Sequence, residues 1–208
     1  GVTIPASLTS IGQRAFLLCS SLKSLSFESG SQLTTIDTYA FRSSGLKDSI
    51  TFPASLTSIG TFAFELCQAY FNVSFESGSQ LTTISDYTFY KSGLSGITLP
   101  ASLTSIGKYA FRQCLNNSTV SFESGSQLNT IGKGGFQNSS LSVITLPASL
   151  TNIGEDSFSD CYYLTSVNFE LGSQLETIGD DVFTGSSIFT SFTAPQNVIT
   201  LISDPPTP

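Results

Sequence analysis

The cysteine and histidine content limits the chemistry open to this chain of 208 residues, which has four cysteines and no histidine. Without histidine, a cysteine or serine nucleophile lacks an imidazole base, and a zinc site lacks its commonest nitrogen ligand. The cysteines recur at intervals of 48, 47 and 47 residues, with a serine between consecutive members. In chain order this column reads Cys19, Ser44, Cys67, Ser92, Cys114, Ser139, Cys161 and Ser186. We expect buried structural thiols here and no catalysis.

Carboxylates are the remaining groups for acid–base chemistry, and four glutamates recur at the same interval. They are Glu28, Glu76, Glu123 and Glu170. A working acid and base need environments that push their pKa values apart, whereas these glutamates have like surroundings. We therefore expect a repeated surface feature and no enzyme active site.

A second acidic group consists of the pairs Glu155-Asp156 and Asp180-Asp181. If successive units of the chain stack, the four carboxylates crowd one edge, where a calcium ion could bind oxygen ligands. The chain has no Asp-x-Asp-x-Asp loop, and Lys108 and Lys133 share the column. A solvated acidic patch is the favoured interpretation, and a calcium site is the alternative.

Hydroxyl side chains recur at the polar position of a strand-like segment. The members of this hydroxyl row are Ser26, Thr51, Ser74, Thr98, Ser121, Thr145, Asn168 and Thr193. Together with the glutamate column and Tyr163, the row is the predicted binding face. It could match a repetitive ligand such as a polysaccharide or ice, but Ser and Thr also suit exposed strands, which is the favoured interpretation. Tyr70 is a further aromatic candidate, although its position also fits a buried strand residue.

Two alternating segments reveal an internal repeat. Pro-Ala-Ser-Leu-Thr recurs at intervals of 48, 47 and 47 residues, and Phe-Glu-x-Gly-Ser-Gln-Leu recurs between its copies. Superposing the two predicts one solenoid over 1–203, with eight units of 22–25 residues, a partial ninth unit and a two-unit superrepeat of 47–48 residues, followed by a Pro-rich tail or linker over 204–208. One column is all isoleucine: Ile11, Ile36, Ile59, Ile84, Ile106, Ile131, Ile153 and Ile178. Five residues later comes a column of phenylalanine: Phe16, Phe41, Phe64, Phe89, Phe111, Phe136, Phe158 and Phe183.

Each unit is expected to contain a short strand, a turn, an extended Leu-x-x-Ile and a short helical turn. Alternation of apolar and polar residues, as in Ile97-Thr98-Leu99, indicates the strand. Glycines such as Gly60 and Gly107 follow the isoleucine, where we expect the chain to bend. One unit is too short to bury its apolar edge, so the units stack and the columns become buried ladders. Cysteines two units apart then lie about 9–10 Å from each other, beyond the ~7 Å Cα separation of a disulfide.

The segment from Ile97 to Cys114 resembles the BspA-like leucine-rich-repeat family. It reads Ile-Thr-Leu-Pro-Ala-Ser-Leu-Thr-Ser-Ile-Gly-Lys-Tyr-Ala-Phe-Arg-Gln-Cys, close to the family motif Ile-x-Ile-Pro-x-x-Leu-x-x-Ile-Gly-x-x-Ala-Phe-x-x-Cys. The similarity covers about the whole chain. It departs from the motif in every second unit, where Glu replaces Pro and Ser replaces Cys, and at Asn117, where we predict a local bulge in place of an apolar residue.

The resemblance implies a right-handed, β-rich α/β solenoid. It further implies a parallel concave sheet, short second strands, and short helical or 3-10 turns on the convex side. Members of the family occur mainly in secreted or cell-surface proteins that bind host proteins, matrix or neighbouring cells. Because the chain starts inside a unit without a polar cap, we expect it to be part of a longer array.

Charge and hydropathy exclude two classes of partner. A net charge of −7 with only eight Lys plus Arg argues against nucleic acid, because phosphate binding needs clustered basic residues. No apolar run approaches the roughly 18 residues that span a bilayer, so we expect no membrane insertion by this chain. Glycosylation triplets begin at Asn72, Asn116, Asn117 and Asn138, and they are relevant only if the source secretes through a glycosylating pathway.

The predicted function is a non-catalytic binding or adhesion module of a surface or secreted protein, without a cofactor. The predicted partner is an extracellular protein or glycan. A structural spacer within a larger surface protein is the alternative, and binding of a repetitive lattice through the hydroxyl row is a more remote one. Binding predicts that Tyr163→Ala or Glu123→Ala lowers affinity, whereas a spacer predicts indifference to both changes.

Overall fold

The chain folds as a stack of coils, each with a long strand followed by a two-residue short strand. A computed structural model describes residues 1–114 and 119–186 in full and the backbone of 191–193. The long strands are β1 (Val2–Ile4), β3 (Leu25–Phe27), β5 (Ile50–Phe52), β7 (Phe71–Phe75), β9 (Leu94–Leu99), β11 (Thr119–Phe122), β13 (Val143–Leu146), β15 (Ser166–Phe169) and β17 (Ser191–Thr193). The short strands are β2 (Ser10–Ile11), β4 (Thr35–Ile36), β6 (Ser58–Ile59), β8 (Thr83–Ile84), β10 (Ser105–Ile106), β12 (Thr130–Ile131), β14 (Asn152–Ile153) and β16 (Thr177–Ile178). We number the coils 1 to 8 by these pairs, so that coil 1 begins with β1.

The short strands form one unbroken parallel sheet of eight strands, from β2 to β16 in chain order. Each isoleucine of the column pairs with the isoleucine of the next coil, as Ile36 does with Ile59 and Ile59 with Ile84. Ile59 is fully buried. The β-branched side chain suits a two-residue strand whose inner position must repeat without a gap.

The long strands are also parallel, but they divide into three sheets: β1–β3, β5–β11 and β13–β17. The single concave sheet that the family resemblance implies is therefore interrupted. One interruption, between β3 and β5, coincides with the one superrepeat interval of 48 residues, because coil 2 carries an extra residue near Lys47-Asp48. A register shift also occurs between Phe71 and Asn72 opposite β9.

The phenylalanine column forms a continuous stack of eight rings through the core. Consecutive ring centroids lie 4.9, 5.2, 5.4, 5.4, 5.1, 5.3 and 5.8 Å apart, and the rings are near parallel. Phe64 is fully buried and Phe111 is 2% exposed, as a core ladder requires. Stacked aromatic pairs add stabilisation beyond their area burial, so the stack reinforces every interface between coils.

The turns after each isoleucine are not helical, so the prediction of helical or 3-10 turns is wrong. The described residues contain no helix. Instead, the residues three and seven positions after each isoleucine have positive φ. The first set is Arg14, Tyr39, Phe62, Tyr87, Tyr109, Gly134, Asp156 and Asp181, and the second is Leu18, Ser43, Leu66, Lys91, Gln113, Asn138, Asp160 and Gly185. We call the surface that carries these two columns the turn face.

Backbone hydrogen bonds on the turn face alternate between local turns and neighbouring coils. In coil 4, the N–H groups of Tyr87, Phe89 and Lys91 donate to carbonyls of coil 5 at 2.8–3.0 Å. The intervening N–H groups of Tyr90 and Ser92 donate three residues back within the coil, at 3.1 Å. The left-handed residues make this alternation possible, because a continuous helix would direct every N–H along its own axis.

The glycines after the isoleucine column allow close approach of adjacent coils. A Cβ on Gly107 would lie 2.6 Å from the backbone nitrogen of Asp86, and one on Gly60 would lie 2.7 Å from that of Thr38. Neither glycine has positive φ, so their role here is the close approach of coils. Only a residue without a side chain fits this spacing.

Three predictions fall wholly or partly outside the described residues: the bulge near Asn117, the tail over 204–208 and the solenoid boundary at 203. Within the described ranges, no helix has the length and apolar character needed to cross a membrane.

Candidate functional site

The glutamate column bonds to the backbone of the preceding coil. The carboxylates of Glu28, Glu76, Glu123 and Glu170 accept hydrogen bonds from the backbone N–H groups of Ala6, Ala54, Ala101 and Ala148, respectively, at 2.9–3.0 Å. Each alanine lies in a Pro-Ala-Ser turn, and each glutamate follows the long strand of the next coil. These carboxylates therefore have a structural role that sequence reasoning missed.

The cysteine column makes the complementary set of contacts. Ser44 Oγ lies 3.3 Å from Cys67 Sγ, and the Cys67 thiol donates to the Phe41 carbonyl at 3.1 Å. The serines and cysteines of coils 4–5 and 6–7 repeat the contact at 3.6 and 3.5 Å. Glutamate bonds thus join coils 1–2, 3–4, 5–6 and 7–8, and the Ser–Cys contacts join coils 2–3, 4–5 and 6–7. The two types of contact therefore alternate along the stack, and we call this alternation the interlock of two coil types.

The thiols are placed for packing. None of the four cysteines, all of which lie in the described part of the chain, forms a disulfide. Burial raises the pKa of Cys67 to about 11 and that of Cys114 to about 12, and it also raises the pKa of Cys161. Only Cys19 is partly accessible. A buried thiol with a raised pKa is a poor nucleophile, because the thiolate is the reactive form.

The hydroxyl row lies on the outer side of the long strands, which we call the long-strand face. Ser26, Thr51, Thr98, Ser121 and Thr145 are exposed, Ser74 and Asn168 are half-buried, and the side chain of Thr193 lies outside the described residues. Thr51 and Ser74 bond to each other at 3.0 Å, as do Thr98 and Ser121. Hydroxyl pairs thus join coil 3 to coil 4 and coil 5 to coil 6.

Three tyrosines project at the start of long strands. Tyr163 is 62% exposed, Tyr162 49% and Tyr70 64%. The buried strand position that Tyr70 could have filled belongs to its neighbour Phe71, which is 2% exposed. Tyr70 and Tyr163 therefore flank the long-strand face as accessible aromatic side chains, four coils apart.

The acidic pairs near the end of the array are partly neutralised. Lys133 Nζ lies 2.7 Å from a Glu155 carboxylate oxygen and 3.7 Å from one of Asp156. The hydrogen bond with Glu155 raises the pKa of Lys133. Within residues 1–114 and 119–186, no group of three or more Cys, Asp or Glu side chains is arranged to hold a metal ion. The solvated acidic patch and the calcium site both stay predictions.

An aromatic and cationic cluster on the turn face was not found by sequence reasoning. Tyr39 stacks on Phe62 at 5.0 Å, Phe62 on Tyr87 at 4.8 Å, and Tyr87 packs on Tyr109 at 5.1 Å. The guanidinium of Arg112 lies 5.3 Å from the Tyr109 ring centroid. The signal was present, because these rings all lie three residues after an isoleucine of the ladder.

A model of the BspA-type leucine-rich-repeat region matches six copies over residues 1–115 and 82–204. The chain belongs to the BspA-type leucine-rich-repeat family. This assignment agrees with the stacked coils, the isoleucine ladder and the motif from Ile97 to Cys114. A comparison with curated proteins gives no match.

Solved structures of leucine-rich-repeat proteins resemble this BspA-type chain. The pneumococcal vaccine antigen PcpA is 28% identical, with a TM-score of 0.65 over 94% of this chain and 50% of the antigen. A leucine-rich-repeat protein of T. pallidum is 26% identical, with a TM-score of 0.52 over 80% of this chain and 65% of that protein. A leucine-rich cell surface protein of Faecalibacterium prausnitzii is 22% identical, with a TM-score of 0.48 over 90% and 65%. The chain therefore spans half to two thirds of the length of these proteins.

Proposed function

We propose that this chain is a non-catalytic recognition module of a surface or secreted protein, and that it binds an extracellular protein or glycan through its long-strand face. The observation that carries the proposal is the exposed hydroxyl row, which runs across successive coils and is flanked by Tyr70 and Tyr163. Short polar side chains leave this face open to a partner, and exposed tyrosines are favoured anchors in protein interfaces. A rigid stack of coils holds these groups at a fixed spacing.

The absence of catalysis is part of the proposal and rests on the chemistry of the side chains. The regular glutamates each hold a backbone amide in the same way, so they do not form an acid–base pair with divergent pKa values. An open cleft of about 340 Å³ has a lining that includes Ser20, Ser43 and Gln68 and contains no acid or base. An apolar cavity between Leu94, Phe111 and Phe136 has a volume of about 10 Å³, room for one water at most. Its ionisable lining residue is Cys114, whose raised pKa keeps it protonated.

A location outside the cell is supported by similarity alone. The structure that matches at a TM-score of 0.65 is a vaccine antigen, and an antigen used in this way is accessible to antibodies. Because this chain spans 50% of that protein, the activity of the whole antigen does not transfer to it.

The structure bears differently on the two alternative functions. The division of the long-strand face into three sheets disfavours a repetitive lattice, because the pairing of the long strands is interrupted after β3 and after β11. A spacer is favoured by the pairing of hydroxyls between adjacent coils, because paired hydroxyls also serve solubility without a ligand. The spacer therefore stays as the second candidate.

A matched pair of variants separates recognition from a spacer. Thr51 and Thr57 lie in the same coil, are both exposed, and each makes a hydrogen bond of 3.0 Å with a neighbouring coil. Thr51 belongs to the long-strand face, whereas Thr57 lies next to the short strand β6. The chain and its Thr51→Lys and Thr57→Lys variants are tested by surface plasmon resonance against immobilised matrix proteins and a glycan array at physiological salt.

Recognition through the long-strand face predicts a saturable signal that Thr51→Lys reduces by about tenfold or more, as expected for a charge placed in an interface. Thr57→Lys leaves the signal unchanged. A panel without saturable binding favours the spacer, and equal loss in both variants would place binding elsewhere. Tyr163→Ala tests the edge in the same assay, whereas Glu123→Ala is not a clean test because Glu123 holds the Ala101 amide.

A further inference from the structure

Charge is distributed unevenly along the chain. All eight Lys and Arg of the chain lie in residues 1–133, whereas residues 134–208 contain no basic residue and eight of the fifteen acids. The net charge is therefore +1 over 1–133 and −8 over 134–208, which sums to the −7 of the whole chain. Such an asymmetry creates a directional field along a stack of coils.

In coils 1 to 5 the turn face carries aromatic rings and cations, and the acids Asp37 and Asp86 lie close to them in the chain. The Arg14 guanidinium lies 5.6 Å from the Tyr39 ring centroid, and Lys91 Nζ lies 5.2 Å from that of Tyr90. Arg14 and Lys91 are exposed, and the rings of the stack are half-buried. Tyr, Phe and Arg are the residue types enriched in protein interfaces.

The rings of Tyr39, Phe62, Tyr87 and Tyr109 form an outer aromatic stack, whose spacing shows that the coils do not diverge at this part of the turn face. Its rings are 4.8–5.1 Å apart, at least as close as the 4.9–5.8 Å between rings of the buried phenylalanine stack. Consecutive coils therefore present their outer side chains at nearly the spacing of the core. A second surface with the same coil spacing could contact several coils at once.

Coils 6 to 8 carry acids in the same two columns, together with Lys133, whose Nζ lies 3.7 Å from an Asp156 carboxylate oxygen. Where coils 1 to 5 have Arg14, Tyr39, Phe62, Tyr87 and Tyr109, coils 6 to 8 have Gly134, Asp156 and Asp181. The column four residues later ends with Asn138, Asp160 and Gly185. Asp181 is exposed and Asp156 is half-buried. The acids thus occupy the positions that correspond to the cations and rings.

We propose that the turn face binds a second copy of this chain, with the two solenoids antiparallel and a two-fold axis between coils 4 and 5. In this register each coil n faces coil 9 − n of the other copy. The column with the aromatic rings then pairs Arg14 with Asp181, Tyr39 with Asp156, Phe62 with Gly134, and Tyr87 with Tyr109. Every contact occurs twice, as a two-fold interface requires.

The chemistry of these pairs argues for the antiparallel arrangement. Arg14 meets a carboxylate, the Tyr39 hydroxyl can donate to one, and the Phe62 ring faces Gly134, against which the Tyr109 ring lies. A parallel arrangement would place each coil against the same coil of the other copy, with the first positive-φ column facing the second. Asp156 would then approach Asp160 of the other copy, and the like charges would repel. The Arg14–Asp181 pair, and the repulsion between Asp156 and Asp160 in a parallel arrangement, therefore favour the antiparallel direction.

A charge swap on Arg14 and Asp181 tests the proposal. Both residues are exposed, so their replacement should not unfold the chain. Sedimentation velocity of the whole chain at low salt, over a wide range of concentration, should show a monomer–dimer equilibrium. Arg14→Glu and Asp181→Lys should each raise the dimer dissociation constant by about tenfold or more, since each reverses two pairs per dimer. An equimolar mixture of the two variants should dimerise again, because each altered side chain then meets its opposite.

The controls change the same charges elsewhere. Lys23→Glu and Asp48→Lys lie at exposed positions outside the turn face and should leave the dissociation constant of the wild-type dimer unchanged. The equilibrium should also weaken at about 1 M salt, where the Debye length falls to about 3 Å. Circular dichroism melts of all variants check that they remain folded.

Three results would overturn the proposal: a wild-type chain that stays monomeric at low salt, variants that dimerise as well as the wild type, or a mixture that does not recover dimerisation. If the chain is monomeric but is retained by immobilised poly-glutamate, the cations on the turn face of coils 1 to 5 bind an acidic ligand and not a second copy.

Discussion

At the scale of single residues, the carboxylate of Glu123 shows how a side chain with no evident role in the sequence acquires one in the stack. It accepts the N–H of Ala101, which follows Pro100 in the turn of the coil before. The alternation of Pro and Glu is visible in the sequence, but the bond joins residues 22 positions apart. Periodicity identifies columns, whereas the bonds between neighbouring columns depend on how the coils are aligned.

The bond predicts a local effect of a conservative change. Glu123→Gln keeps the shape of the side chain but removes the charge of the acceptor, so we expect the free energy of unfolding to fall by about 1 kcal/mol. Hydrogen exchange of the Ala101 amide should become faster, while Glu176→Gln, at an exposed position beside β16, serves as the control. Unchanged protection of the Ala101 amide would show that the carboxylate does not hold the turn.

The buried thiols predict a loss of stability in alkali. Burial raises the pKa of Cys67 to about 11 and of Cys114 to about 12, whereas an unfolded thiol ionises near pH 9. The unfolded chain then loses protons before the folded chain does, so stability is complete below about pH 9 and declines towards pH 12. The slope is at most about 1.4 kcal/mol per pH unit for each thiol.

Urea unfolding between pH 7 and pH 11 measures this slope. Cys114→Ser removes one titrating thiol and should therefore make the decline shallower. Serine is a suitable replacement because it already occupies the column in alternate coils. At pH 8 a thiol reagent should modify Cys19 first in the folded chain, since it is the accessible member. A slope identical in the wild type and in Cys114→Ser would contradict the assignment.

At the scale of elements, the sequence predicts the strands and the buried columns but not the conformation of the turn face. The strand, the Pro-Ala-Ser turn and the isoleucine and phenylalanine columns follow from apolar spacing, because inward positions must repeat in register to leave no gap. The turn after each isoleucine contains hydrogen bonds three residues back, which a helical pattern also contains. Sequence spacing alone does not distinguish the two, since residues as different as Tyr87, Asp156 and Gly134 share the left-handed position.

The left-handed columns predict that glycine is tolerated at one lysine and not at another. Lys91 has a φ of 53°, in the column where coil 8 has Gly185, whereas the exposed Lys108 lies outside both columns. A left-handed conformation costs an L-residue about 1–2 kcal/mol, so Lys91→Gly should be neutral or stabilising. Lys108→Gly should destabilise by about 0.5–1 kcal/mol through added chain entropy. Equal destabilisation by the two changes, in denaturant titrations, would contradict the conformation of the turns.

At the scale of the whole molecule, the solenoid is an alternation of two coil types. The long-strand face and the turn face inherit their repeat from it. The predicted binding face was only partly accessible to sequence reasoning: the exposed hydroxyl row follows from strand alternation, but the interruption of the sheet after β3 and β11 does not. The aromatic stack of Tyr39, Phe62, Tyr87 and Tyr109 becomes recognisable only once the turn has been placed on the surface.

Two deletions test the interlock most directly. Removing residues 54–100 joins Pro53 to Ala101, keeps the Pro-Ala-Ser sequence and leaves the coil types alternating. Removing residues 54–76 takes out a single coil and places Ser44 opposite Ser92, so that one interface lacks its Ser–Cys contact. Each deletion removes one carboxylate–amide bond and one Ser–Cys contact, but only the shorter one leaves a mismatched interface inside the stack. Because each coil of a repeat protein contacts only its neighbours, the account predicts that the longer deletion melts in a single transition, whereas coils 1 and 2 of the shorter deletion melt before the rest. A single transition in both deletions would contradict the interlock of two coil types.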